Sequence, residues 1–182
     1  MNIPVCFLYE CFSFDSKVGV LTWKRRPESH FQGSEVTMKR WNGKNADKAA
    51  GTSRKDGRVA VCLNYYGRTH MIYASRIIFA MINGKWPDGL VDHLDGNPGN
   101  NKLENLRVCN KSQNSQNRLA PLGKLLPGVK KDGNRFSAKV KSNGVFYHVG
   151  MFRTEQEAHA AYVEKRDLLH GEFSIGNRNC IT

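Results

Sequence analysis

The stretch from residue 91 to residue 118 constrains this chain more than any other. It delivers an adjacent Asp92-His93 pair at the end of a short apolar run, then continues into residues 95–101, which are almost wholly Asp, Gly, Asn and Pro. Residues of these types bend the backbone at low energetic cost. A second short strand is predicted over residues 105–108. The backbone is therefore predicted to run from strand to loop to strand.

A polar helix is predicted after the second strand. Either Asn110 or Ser112 can cap its first turn, because both side chains accept hydrogen bonds from backbone N–H groups. The helix carries Asn114. We expect this order of elements to bring Asp92 and Asn114 to one place, with His93 beside them.

Asp92 and Asn114 supply a carboxylate and a carboxamide. Hard oxygen ligands of this kind suit a magnesium-like ion that keeps several waters and binds substrate phosphate. Such an ion stabilises the charge that grows on a phosphodiester and on its leaving oxygen. An imidazole such as that of His93 is largely neutral near pH 7 and can take a proton from water. The alternative is an ordinary solvated histidine beside a polar helix face, since single motif residues often match by chance.

At these residues the sequence resembles the HNH endonucleases, of the free-standing phage and intron-homing type. The resemblance implies that His93 is the general base and that Asp92 and Asn114 hold the metal. It also implies that Asn105 pins the loop and orients the histidine. The last motif position is Asn114 rather than histidine, so a second histidine ligand is absent. The family implies a DNA substrate and Mg²⁺, or another divalent metal such as Mn²⁺, as cofactor.

The overall charge favours a polyanionic partner. The 182-residue chain has a formal net charge of +12 that is spread along its length, so no single basic tail explains it, and extended contact with nucleic acid explains it better. The alternative on charge alone is a basic protein surface without such a partner. The net charge alone does not decide between these two interpretations.

Cysteine usage and hydropathy bear on metal content and location. The five cysteines form no CxxC pair and leave an odd count, so we expect neither a structural zinc site nor a disulfide framework. No apolar run approaches the length of a membrane span, and the start lacks the features of an export signal. We expect a cytoplasmic protein with reduced thiols, in a bacterial host if the gene belongs to a phage.

Residues 1–73 are predicted to form a β-rich region of short strands and turns. Strands are predicted over residues 12–15 and 20–23, and residues 27–58 are predicted to be irregular. Asp56-Gly57 is a hairpin signal that precedes a further strand. The basic residues 24–26 either meet DNA phosphates or form a solvated charge cluster.

Residues 74–118 are predicted to form the nuclease core, which begins with a helix over residues 74–83. Its apolar residues form a broad face, and Gly84 suits the left-handed position that ends a helix. We expect this helix to pack against the strand–loop–strand–helix unit. Arg76, on the same helix, either contacts the DNA backbone or pairs with an acidic side chain.

Residues 119–127 contain two prolines and a glycine and are predicted to be a linker. In residues 128–182, apolar and polar side chains alternate strictly over residues 135–141, the polar ones being mostly basic, and Asn143-Gly144 is a two-residue hairpin signal. Thr154 and Glu157 form a capping box at the start of a helix that ends near Gly171. The sequence predicts a three-stranded antiparallel sheet packed on one helix, with the opposite sheet face basic and bare.

This last segment resembles the DNA-binding domain of plant ethylene-response factors, in the text from GVKKDGNRF to FRTEQEAHAAY. A sheet of this kind can enter a major groove. The plant domain's arginine and tryptophan pattern is only partly present, so its DNA sequence preference does not carry over. The candidate DNA-contacting residues of the whole chain are Arg76, Arg118, Lys130, Arg135, Lys139, Lys141 and Arg153.

The sequence therefore predicts an α+β protein that combines a ββα-metal nuclease core with a sheet that targets DNA. The predicted activity is metal-dependent DNA cleavage of the homing or nicking type, with nicking by a monomer or double-strand cleavage by a dimer both open. A catalytically decayed, sequence-specific DNA-binding regulator is the alternative. An RNA-directed nuclease is a third possibility, disfavoured because A-form RNA closes the groove that a sheet would enter. The target sequence stays open.

Overall fold

The computed structural model describes residues 3–117 and 125–174. The chain divides into two compact units. The first combines residues 1–93 with 97–108, and the second combines residues 94–96 with 109–182. Both units contain helices and small antiparallel sheets, so the predicted mixture of helix and strand is confirmed.

The first unit mixes three α-helices with several short strands. The helices are α1 (Val5–Cys11), α2 (Glu35–Asn45) and α3 (Ala74–Asn83). The strands are β1 (Phe12–Asp15), β2 (Val20–Trp23), β3 (Thr52–Ser53), β4 (Val59–Tyr65), β5 (Arg68–Tyr73), β6 (Leu90–His93) and β7 (Leu106–Cys109), the last of which ends at the unit boundary. They pair as β1–β2, β3–β4–β5 and β6–β7.

The prediction of a β-rich N-terminal region is incomplete, because α1 and α2 lie within it. Helix α2 falls in the segment that was predicted to be irregular. Its N-cap is Ser34, whose hydroxyl accepts a hydrogen bond from the backbone N–H of Thr37 at 3.3 Å. The helix buries Asn42 but presents no continuous apolar stripe, so helical periodicity gave no signal. Packing of its aromatic residue Trp41 on the core fixes it instead.

Helix α3 is the centre of the first unit's core. Its predicted bounds are confirmed, and Gly84 ends it at φ +67°. Ile77 and Ile78 are fully buried, and the helix packs against α1, β4, β5 and β6. Burying an aliphatic side chain of this size contributes about 1.5–3 kcal/mol relative to exposure. The strand that delivers the Asp92-His93 pair thus packs against a helix with fully buried isoleucines.

Arg26 is the most unusual member of this core. It is 3% exposed, so it neither meets solvent nor stands on an open surface. Its guanidinium carbon lies 5.1–6.0 Å from the ring centres of four aromatic residues, Phe7, Trp23, Phe31 and Trp41. The interpretation of residues 24–26 as phosphate contacts or a solvated cluster is therefore wrong for Arg26, which is enclosed by aromatic rings.

The second unit contains a three-stranded antiparallel sheet and two α-helices in its described part. Its elements are α4 (Lys111–Gln116), β8 (Val129–Asp132), β9 (Arg135–Ser142), β10 (Val145–Phe152) and α5 (Glu155–His170). The strand order is β10–β9–β8, and α5 packs on the sheet. The predicted turn at Asn143-Gly144 is confirmed, with φ of +50° and +84° at the two residues.

The helices of the second unit begin at side-chain caps. Thr154 and Glu157 form the predicted capping box of α5, which ends at His170 before Gly171. Of the two residues that could cap α4, the structure selects Asn110, which forms a second capping box with Gln113. Each box satisfies backbone N–H groups that a helix start leaves without partners.

The predicted linker, residues 119–127, and Arg118 lie largely or wholly outside the described residues. In the part of the chain that the structure describes, no helix is long and apolar enough to cross a membrane.

Candidate active site

Strand β6 ends in two buried polar residues. Asp92 is 8% exposed and His93 is 9% exposed, although both carry side chains that water solvates well. Buried polar side chains are retained where other groups satisfy them. Asp92 has a partner on β7, and His93 has one on the loop that follows β6.

Asp92 forms an ion pair with Arg107 of β7. The guanidinium donates from Nε at 3.1 Å and from Nη2 at 3.0 Å, both to the same carboxylate oxygen, Oδ2. The two side chains are 9% and 13% exposed, so water screens the pair weakly. Local sequence does not single out Arg107, because its place opposite Asp92 depends on the pairing of β6 with β7.

His93 is held by Asn101. The imidazole Nε2 lies 3.0 Å from Asn101 Oδ1, and the Nδ2 of the same amide lies 3.4 Å from the carbonyl of Gly99. The contact with Gly99 directs the amide oxygen, which only accepts hydrogen bonds, toward the histidine. His93 Nε2 is therefore the donor, and in the neutral ring the basic lone pair lies on Nδ1.

Side-chain amides hold the loop after β6 in shape. Asn105, which is buried, donates from Nδ2 to the carbonyl of Asn100 at 2.8 Å. Its backbone N–H donates to the carbonyl of Lys102 at 3.0 Å, and Asn97 Oδ1 accepts from the N–H of Gly99 at 3.0 Å. These contacts place Asn105 on the loop backbone, and its role in pinning the loop and orienting His93 stays a prediction. Asn101, whose amide contacts the imidazole, is a residue that sequence reasoning missed among neighbouring asparagines.

Two turns of the N-terminal region support the same loop. Gly19, at φ +76° in the β1–β2 turn, lies so close to the loop that an added Cβ would stand 2.5 Å from the backbone N of Lys102 and 2.7 Å from the carbonyl carbon of Asn101. Gly57, at the turn before β4, approaches the ring of Pro98 in the same way, at 2.9 Å. The N-terminal turns therefore define the position of the loop that holds His93.

Arg76 serves a nearby backbone segment. Its Nη1 donates to the carbonyl of Gly89 at 2.6 Å, and its Nη2 donates to the carbonyl of Pro87 at 3.2 Å. These carbonyls belong to the segment that enters β6. The structure thus gives Arg76 an anchoring contact in place of the acidic partner considered from sequence, and a role in DNA contact stays a prediction.

Asn114 lies on α4 in the second unit and is half-buried. Its backbone N–H donates to the carbonyl of Asn110 at 3.0 Å, as the first turn of a capped helix requires. Among residues 3–117 and 125–174, no three His, Cys, Asp or Glu side chains cluster in a way that could hold a metal. The predicted ligands are the carboxylate of Asp92 and the carboxamide of Asn114. They would not form such a cluster in any case, because a cluster needs three side chains of those four types.

The donor chemistry at Asp92 fits a hard divalent cation. A buried carboxylate is the oxygen ligand that Mg²⁺ and Mn²⁺ prefer. The ion pair with the guanidinium of Arg107 shows that this carboxylate attracts a cation.

The exposed face of the C-terminal sheet is basic. Side chains that are directly opposite each other on paired strands share a face, which places Lys139 with His148 and Lys141 with Phe146. The Nζ of Lys141 lies 5.0 Å from the centre of the exposed Phe146 ring. The remaining predicted DNA contacts of this unit, Lys130, Arg135 and Arg153, are also exposed.

Comparison with known proteins bears on residues around the candidate site. Residues 72–116 match the family model described as HNH endonuclease. This segment is similar to HNH endonucleases. A protein of Acanthamoeba polyphaga mimivirus, named an uncharacterized HNH endonuclease, is 36% identical over 106 residues, which cover 57% of this chain and 56% of the relative. The chain therefore spans about half the length of that curated relative. No solved structure matches the chain.

The HNH-like segment, residues 72–116, contains α3, β6, β7 and α4 and thus every residue that was predicted to hold metal or move a proton. The expectation of an HNH-type nuclease is supported at this coarser level. The likeness of the C-terminal sheet to ethylene-response-factor domains is not shown by any of these matches, and it stays a proposal.

Proposed function

We propose that the protein is a metal-dependent endonuclease that hydrolyses a phosphodiester bond of DNA. The observation that carries the proposal is the fixed imidazole of His93, beside the carboxylate of Asp92, at the end of β6 within the HNH-like segment. A histidine whose Nε2–H is held by an amide presents Nδ1 as its basic atom. That is the arrangement a general base requires.

These contacts support the following residue roles. His93 takes a proton from water, the water oxygen adds to phosphorus, and the P–O bond to the leaving oxygen breaks. The leaving oxygen takes a proton from solvent, which gives a phosphate end and a hydroxyl end. Asn101 fixes the tautomer of His93, and Asn105 holds the loop backbone. Asp92 would hold a divalent cation, with Asn114 as a second oxygen ligand on the strength of the motif. When bound, such a cation neutralises charge on the phosphate and the leaving oxygen.

We further propose that the exposed basic face of the C-terminal sheet binds duplex DNA. Lys139 and Lys141 lie on one strand with their side chains on that face, and Lys130 and Arg135 extend it. A sheet can enter the major groove of B-form DNA, and exposed cations there would neutralise phosphates. Nicking by one chain and cleavage of both strands by two chains are both compatible with one active site per chain.

A catalytically decayed DNA-binding regulator is the second candidate. It is favoured by the ion pair between Asp92 and Arg107, which occupies the proposed metal-binding carboxylate. Salt would weaken DNA binding in either case. Cleavage therefore has to be measured directly.

The test is conversion of supercoiled plasmid to open-circular or linear DNA by the full chain. We expect conversion with Mg²⁺ or Mn²⁺, none with a chelator, and at least a hundredfold loss in His93→Ala, in keeping with the contribution of a general base of about 10²–10⁴. His70→Ala, which removes a half-buried histidine of β5, is the matched control and should cleave normally. Tight DNA binding without cleavage under every divalent metal supports the regulator.

A further inference from the structure

The ion pair between Arg107 and Asp92 differs from the other ion pairs in the described ranges, 3–117 and 125–174. Both of its side chains are almost enclosed, at 13% and 9% exposed, whereas each other pair has at least one partner that is 38% exposed or more. Nε and Nη2 of Arg107 donate to Oδ2 at 3.1 and 3.0 Å. The pair is therefore close, and water screens it weakly.

The position of this pair matters because Asp92 is the proposed metal ligand. A cation that already contacts the carboxylate lowers its attraction for a second cation, and the two cations repel each other. Weak screening in the buried site makes both effects larger than on a surface. A divalent ion would therefore bind the free protein poorly while Arg107 stays on Oδ2.

DNA would change this balance. A phosphodiester that enters the site brings negative charge, and a guanidinium binds phosphate oxygens as readily as carboxylate oxygens. With phosphate as a partner for Arg107, the carboxylate of Asp92 can attract a divalent ion. The two binding events would then strengthen each other by the same factor.

We propose, resting on the proposed nuclease function, that Arg107 couples metal binding to DNA binding. In the free protein it acts as the counter-ion of Asp92 and holds metal affinity low. In the DNA complex it contacts the phosphate, and metal affinity rises. Arg107 is thus a positioning residue for Asp92 in the absence of substrate, and the hydrolytic centre assembles only where DNA is present.

The test measures binding of Mn²⁺ to the full chain, from the spectrum of free Mn²⁺ in electron paramagnetic resonance, with and without duplex DNA. A His93→Ala background prevents cleavage during the titration. We expect Arg107→Gln to bind Mn²⁺ at least tenfold more tightly than the parent without DNA, and to lose most of the tightening that DNA causes in the parent. Arg25→Gln removes the same charge from an exposed ion pair and should behave as the parent.

A stability readout covers the case in which loss of the buried cation impairs folding. Mn²⁺ without DNA should raise the melting temperature of Arg107→Gln and leave that of the parent nearly unchanged. Arg107→Lys keeps the charge but lacks the two convergent donors, so its Mn²⁺ affinity should fall between the two. Equal or weaker Mn²⁺ binding by both variants without DNA overturns the coupling.

A further variant separates this inference from the proposed function. One outcome is that Asp92→Asn removes the Mn²⁺ site of the DNA complex while the Arg107 variants bind Mn²⁺ as the parent does. That result would support the metal site at Asp92 and contradict the coupling through Arg107. If Asp92→Asn changes nothing, the metal centre fails, and the coupling fails with it.

Discussion

Two arginines in the first unit, the buried Arg26 and the partly buried Arg107, show how differently one side chain can be used. Arg26 lies among four aromatic rings, and its Nε and Nη2 donate to His30 Nδ1 and to the carbonyl of Asn64, both at 3.1 Å. Arg107 donates to the carboxylate of Asp92. The acceptors of the first guanidinium are a ring nitrogen and a backbone carbonyl, and neither belongs to an acidic side chain. The acceptor of the second is a carboxylate, which can also bind another cation.

The surroundings of the two arginines differ in the same way. Around Arg26, burial raises the pKa of the neighbouring Cys11 thiol to about 12 and lowers the pKa of Arg26 itself from its ordinary value. Those groups are held in single protonation states by a largely apolar setting. Around Arg107, asparagine amides hold the loop through directed hydrogen bonds. We infer that the first region maintains the fold and that the second is built for exchange of charged partners.

Removal of Arg26 should give the largest effect on stability. Arg26→Ala leaves a cavity between four rings and two acceptors without their donor, which together should lower the free energy of unfolding by about 3–5 kcal/mol. Arg25→Ala is the matched control, because Arg25 has an exposed side chain and a long ion pair at 3.9 Å. Urea denaturation checks both variants. A loss below about 1 kcal/mol for Arg26→Ala would contradict a structural role.

Loss of Asn101 should lower the cleavage rate and spare the fold. Asn101→Leu removes the acceptor that fixes the Nε2–H tautomer of His93, and loss of such an orienting partner costs about 10–100-fold in activity. The nicking rate and the ¹⁵N chemical shifts of the imidazole check this together. A variant that cleaves normally while the tautomer changes would show that His93 is not the base.

Substitution at Gly19 should have a smaller effect on the same loop. Gly19→Ala places a methyl group against the backbone of Asn101 and Lys102, so we expect about a tenfold fall in nicking rate, since small displacements of catalytic groups are costly. Gly33→Ala is the control, because Gly33 has nearly the same φ, +75° against +76°, but no atom within 4 Å of its added Cβ. Equal losses in the two variants would mean that backbone strain, and not the loop contact, is responsible.

The Cys11 thiol should have the smallest effect on stability near neutral pH and a measurable effect at alkaline pH. Its folded-state pKa of about 12 lies above the ordinary value of 9.0, so the unfolded chain releases the proton first and stability is lost as pH rises from 9 toward 12. The slope contributed by this thiol approaches about 1.4 kcal/mol per pH unit. Urea denaturation of Cys11→Ala and of the unaltered protein between pH 9 and 10.5 isolates it. Parallel pH profiles would contradict the burial of the thiol in an apolar setting.

The comparison also explains what sequence could predict. The bounds of α3, the turn at Asn143-Gly144 and the capping box of α5 follow from local patterns, and the structure has all three. The predicted placement of Asp92 and His93 at the end of a strand also depends only on neighbouring residues. Such features are specified within a few residues of sequence.

The features that sequence reasoning missed depend on contacts between distant segments. Local sequence groups Arg26 with two neighbouring basic residues, because its enclosure needs rings from α1, β2, α2 and the turn before α2. Local sequence does not mark Arg107, because its partner lies 15 residues away on another strand. Asn101 was indistinguishable from the other asparagines of its loop. In each case tertiary structure, and not local pattern, selects the partner.

The most direct test of the hydrolytic centre is chemical rescue of His93→Gly in the plasmid nicking reaction with Mg²⁺. The account predicts that this variant is inactive and that added imidazole restores nicking in a saturable way, because the free base enters the space that the missing side chain leaves. A His93→Gly variant that nicks as fast as the unaltered protein, or that no imidazole concentration restores although it folds and binds DNA, would contradict the assignment of the general base.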